Sequence, residues 1–137
     1  TGPQGIAWND DGTRLYEVGT GAPNKIYQLN VSTPFDITTA SPDTVINAEN
    51  DSIEGIEWAN NGTRFYEVGI RPRKIHQYTI SIPYDITTAS VEKSIDTQDT
   101  EPNGIAWNND GTRLYEVGSG SDKIYQYELS TTGWEAF

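Results

Sequence analysis

Neither cysteine nor methionine occurs in the sequence. Disulfides, thiol nucleophiles and cysteine-based zinc sites are excluded, and the redox compartment is left open. Basic residues are scarce: nine Lys and Arg stand against 20 Asp and Glu, a formal net charge of −11. A field of that sign repels phosphate backbones and anionic bilayers, so nucleic acid and membrane surfaces are not expected partners. No apolar run is long enough to span a bilayer, and no basic start followed by an apolar stretch marks a signal peptide. Histidine occurs once, as His76, and no nucleophilic triad, phosphate-binding loop or dinucleotide fingerprint is present. The 137 residues are 34% hydrophobic, which is enough to build the core of one domain.

What the chain does have is a repeat, the feature to look for before any other. Gly5-Ile6-Ala7-Trp8 returns as Gly55-Ile56-Glu57-Trp58 and as Gly104-Ile105-Ala106-Trp107. Each copy runs through an Asn/Asp-rich turn into Arg14-Leu15-Tyr16-Glu17-Val18, Arg64-Phe65-Tyr66-Glu67-Val68 or Arg113-Leu114-Tyr115-Glu116-Val117. Short runs of Ile, Val, Tyr, Trp and Thr punctuated by Gly, Asn, Asp and Pro are strands. Asp11-Gly12, Asn61-Gly62 and Asp110-Gly111 supply the positive φ that a tight hairpin needs. A third strand follows from Lys25, Lys74 and Lys123. The segments Pro34-Phe35-Asp36-Ile37 and Pro83-Tyr84-Asp85-Ile86 lead to a fourth strand in the first two copies. The expected units are residues 1–50, 51–99 and 100–137 of a single domain. The last lacks its outer strand, with Trp134 and Phe137 available to cover the edge.

Four antiparallel strands per 50-residue copy describe an all-β fold, a β-propeller with three blades per chain. The pattern Gly-Ile-Ala-Trp-Asn-x-Asp-Gly-Thr-x-x-Tyr-x-Val-Gly, followed by Lys-Ile-Tyr-Gln-Tyr and Ser-Thr-Pro-Phe-Asp-Ile-Thr-Thr-Ala, resembles the propeller repeats of many secreted bacterial and phage-associated proteins. It is similar in style to the YVTN and PD40 repeats. The resemblance covers essentially the whole chain. It implies a propeller but does not choose among lectin-like, scaffolding and hydrolytic roles.

Three blades leave two inter-blade faces uncovered, so a homodimer closing a six-bladed ring is the expected assembly. Candidate ligand residues repeat with the blades: Glu17, Glu67 and Glu116, the same-strand Arg14, Arg64 and Arg113, and Trp8, Trp58 and Trp107. Glu and Arg would bind hydroxyls while an aromatic face stacks on a sugar; otherwise the Glu and Arg form structural ion pairs. Gln4, Glu54 and Asn103 precede the strand glycine in each copy and would ring the channel mouth. These are either solvated channel residues, with no cofactor required, or oxygen ligands that suit a hard cation such as Ca²⁺.

The leading expectation is a non-enzymatic, multivalent, lectin-like carbohydrate-binding homodimer, extracellular or virion-associated, with a glycan or other neutral polar ligand. The alternatives are a structural or protein-interaction module of a virion or cell surface, and a calcium-dependent lactonase-like hydrolase.

Overall fold

The computed structural model describes residues 2–20, 24–130 and 133–136. Sheet I comprises β1 (Gly2–Trp8), β2 (Arg14–Thr20), β3 (Lys25–Val31) and β4 (Ala40–Asn47). Sheet II comprises β5 (Ile53–Ala59), β6 (Arg64–Ile70), β7 (Arg73–Ile80) and β8 (Ala89–Asp96). Sheet III comprises β9 (Pro102–Trp107), β10 (Arg113–Gly118), β11 (Ile124–Ser130) and β12 (Gly133–Ala136). Each sheet is an antiparallel meander whose strands neighbour one another in chain order. The architecture is all-β and propeller-like.

The third unit thus carries the outer strand that the sequence reading denied it. β12 pairs with β11 from Tyr127↔Ala136 to Ser130↔Gly133. Its four residues contain no β-branched side chain. The Pro-Phe/Tyr-Asp-Ile segment that announces β4 and β8 does not precede it. In those two places the aspartate caps a 3-10 turn, Asp36 accepting from the Thr38 amide and Asp85 from the Thr87 amide, both at 3.0 Å. The expectation that Trp134 and Phe137 cover the outer edge concerns side chains outside the described residues.

Alternation along the strands decides what each sheet presents to its neighbour. On β2, Tyr16 and Val18 enter a core with Ile53, Ile56 and Phe65 of sheet II. On β6, Tyr66 and Val68 point the other way and pack with Leu114 and Tyr127 of sheet III. Sheet II is therefore buried on both faces. The inner strands β1, β5 and β9 converge, and a Cβ placed on Gly5 would lie 3.1 Å from the Gly55 Cα. Glycine permits this approach of backbone to backbone. Gly12, Gly62 and Gly111 take the positive φ expected of the hairpins, 71°, 78° and 69°.

Candidate functional site

Glu67 and Glu116 are completely buried. Glu67 accepts hydrogen bonds from the amides of Glu49 (3.1 Å) and Asn50 (2.9 Å) and from Asn50 Nδ2 (3.3 Å), and His76 Nδ1 stands 3.2 Å away. Glu116 accepts from the amides of Gln98 (3.1 Å) and Asp99 (3.0 Å) and from the Tyr127 hydroxyl. Both carboxylates hold the connector that carries the chain from one sheet to the next. The expected pairing with arginine does not form, because residues three apart in a strand point to opposite faces. Arg14 donates instead to the Tyr84 carbonyl at 2.8 Å, Arg64 lies 3.6 Å from Glu92, and Arg113 is exposed. Glu17 is half-buried, with no hydrogen bond or ion pair to it found among the described residues.

The tryptophans belong largely to the junctions between sheets. Trp58 stands 4.7 Å from Tyr16 and Trp107 stands 4.7 Å from Tyr66, ring centroid to centroid, whereas Trp8 meets Phe35 of its own unit at 5.5 Å. Among the described residues, no cleft gathers the candidate Trp, Glu and Arg of one copy into a shared ligand site. Gln4, Glu54 and Asn103 each fall at a register shift of the inner strand, a bulge that re-aims the side chain. Gln4 and Asn103 are exposed, and Glu54 is buried and accepts from the Ser52 hydroxyl at 2.9 Å. Among the described residues, no three His, Asp or Glu side chains gather as a metal site would require.

The structure brings together a different set. A cleft of about 480 Å³ opens at the hairpin ends of sheets II and III, lined in part by Glu57, Trp58, Asn60, Tyr84, Trp107 and Asp110. Burial holds the Glu57 carboxyl above the ordinary carboxylate range. Asp110 is held below that range, first by the Thr112 hydroxyl at 2.5 Å and then by the Thr112 amide at 3.0 Å. Two carboxyls on one cleft are thus driven in opposite directions, the pattern that separates an acid from a standing anion. The Trp58 indole nitrogen is buried with no hydrogen-bond partner among the described residues. Asp10 also borders the cleft, hydrogen-bonded to Tyr84, whose phenol is pushed up mainly by burial.

The second hairpin departs from the other two at this cleft. In the first and third units Asn9 and Asn108 accept the amides of Arg14 and Arg113, each at 2.9 Å, while Asp11 and Asp110 accept those of Thr13 and Thr112. Ala59 and Asn61 occupy these positions in the second unit. Without that side-chain framework, Asn60 and Asn61 adopt φ values of 52° and 53°, and β5 continues to Ala59, which pairs with Arg64. Sequence reasoning passed over Glu57, yet its signal was present as a break in the repeat, with Ala7 and Ala106 flanking it in the alignment.

No family model and no curated protein matches the sequence. Solved structures match the fold. A putative 6-phosphogluconolactonase from Bacteroides fragilis aligns with a TM-score of 0.75 at 12% identity over 99% of this chain and 37% of its own. A protein from Lactobacillus plantarum gives 0.72 at 16% identity over 98% and 40%, and a periplasmic gluconolactonase from Pseudomonas aeruginosa gives 0.70 at 10% over 98% and 38%. The chain spans well under half the length of these neighbours. The likeness runs against the expectation of a non-enzymatic, lectin-like protein: two of the structures that share this propeller-like fold are named as a putative 6-phosphogluconolactonase and a gluconolactonase. The repeated Glu, Arg and Trp residues on which that expectation leaned are dispersed between opposite faces and sheet junctions.

Proposed function

We propose that this chain forms part of a lactonase-type hydrolase in which Glu57 is the acid–base residue. Hydrolysis of a lactone adds water to the ester carbonyl and expels the ring oxygen, which must gain a proton. A carboxyl made less acidic by burial keeps its proton closer to neutrality and can deliver it to that oxygen; once ionised, it takes a proton from the attacking water. Asp110 stays ionised on the same cleft, and Trp58 and Trp107 offer flat apolar walls to a sugar-derived ring. The observation that carries the reading is Glu57 itself, a repeat-breaking carboxyl with a raised pKa on the wall of the 480 Å³ cleft. The test is hydrolysis of glucono-δ-lactone above its spontaneous rate, followed by pH-stat. Glu57→Ala restores the residue of the sister units and so keeps the fold; it should reduce the catalysed rate by roughly a hundredfold or more. An unchanged rate would refute the assignment.

We also propose that a second copy completes the ring, giving six sheets. The two end faces support this as halves of one kind of junction. Ile6 is 57% exposed where its counterpart Ile56 is 4% exposed, and Ile124 is 73% exposed where Ile75 is 3% exposed. Trp58 and Trp107 each meet a tyrosine of the preceding sheet, a partner that Trp8 does not have among the described residues. Tyr115 of β10 stands in register with those tyrosines on the opposite end face.

A further inference from the structure

We infer that Glu17 and the hollow beside it form a peptide seat, built to take an extended segment bearing an asparagine, of the Ala48-Glu49-Asn50 kind. The chain contains two occupied copies of this seat. In sheet II, the Glu49 and Asn50 amides bond Glu67, and the Asn50 side chain lies against Gly69, its Cβ 2.6 Å from where a glycine Cβ would stand. Asn50 Nδ2 also donates to the Lys74 carbonyl at 3.1 Å and lies 3.2 Å from His76 Nδ1. In sheet III, Asp99 lies against Gly118 in the same way, and its amide bonds Glu116 at 3.0 Å.

The corresponding residues of sheet I are Glu17, Gly19, Lys25 and Tyr27. With Gly2, Pro3 and Thr20 they line a hollow of about 180 Å³. This is the seat in its third copy, with the acceptor, the glycine floor and the walls in their repeat positions. Asparagine suits it better than aspartate. A second carboxylate would face Glu17, and the one at Asp99 is offset by the amides of Gly120 and Ser121 and the Ser121 hydroxyl. An amide group donates both to Glu17 and to the Lys25 carbonyl, as Asn50 does to Glu67 and Lys74. This inference does not depend on the hydrolytic reading of the cleft.

The repeat alignment sets the register: Ser52 corresponds to Gly2, so Glu49 and Asn50 correspond to the two residues directly before Thr1. A chain extended by Ala-Glu-Asn ahead of Thr1 therefore delivers both amides and the side chain to Glu17. Its midpoint of thermal unfolding should rise by roughly 5 °C over the chain without the extension. The rise should fall below about 1 °C when Glu17→Ala is present in both chains, and extension by Ala-Glu-Ala should recover less than half of it. Glu17→Ala removes a half-buried side chain, so the fold remains available for the comparison. No rise on extension, or the same rise with and without Glu17, would overturn the inference.

Discussion

At the scale of single residues, Glu57 should trade stability for reactivity. Its folded pKa lies above its unfolded value because burial disfavours the anion. Between those two values the folded chain holds a proton that the unfolded chain has lost, so stability falls as the pH rises through that window. Glu57→Gln has no such window. In urea unfolding it should exceed the wild type at pH 7 by less than about 1 kcal/mol, modest because the side chain is only half-buried. The advantage should vanish below about pH 4. The repeated strand glutamates should divide by environment despite identical sequence context. Glu116→Ala leaves the Asp99 amide and the Tyr127 hydroxyl without their acceptor and the Gln98 amide with the Tyr127 oxygen alone, and should cost about 3 kcal/mol. Glu17→Ala should stay within about 0.5 kcal/mol, since no partner among the described residues is lost. Denaturant midpoints of the two variants measure the contrast.

At the scale of the element, the second hairpin stands apart from its sister turns. Ala59→Asn with Asn61→Asp would rebuild the framework of the first and third turns and relieve two non-glycine residues of positive φ. The double variant should unfold several degrees above the wild type, by roughly 1 kcal/mol, as thermal circular dichroism would record. Strands and hairpins were legible in the sequence because alternation, Gly and Asn/Asp are local signals. The strand β12 was not, since Gly133-Trp134-Glu135-Ala136 owes its conformation to pairing with β11 rather than to its own preferences. The partners of Glu67 and Glu116 were hidden for another reason. They are mostly backbone amides, which every residue but proline carries, so no sequence pattern marks them. The cleft was half legible: the repeat exposed Glu57 as an exception, but only the packing of sheet II against sheet III shows what surrounds it.

For the whole molecule, the end faces decide the behaviour in solution. Two exposed isoleucines whose counterparts are buried should draw two chains together at micromolar concentration, and Ile124→Lys should return them to single chains. Light scattering coupled to size-exclusion chromatography reads both states, and a wild-type mass of one chain would defeat ring closure by a second copy. The glutamate clasps have a further consequence for anyone wishing to transplant these repeats. Because each clasp grips amides contributed by the end of the preceding copy, a cut made after Asn50 or after Gln98 severs a carboxylate from one or both of its donors. A portable module must begin upstream, near Ala48, and end before Thr97, so that clasp and connector travel together. Modules trimmed to the visible sequence repeat would arrive in a new host with a buried anion bereft of its donors.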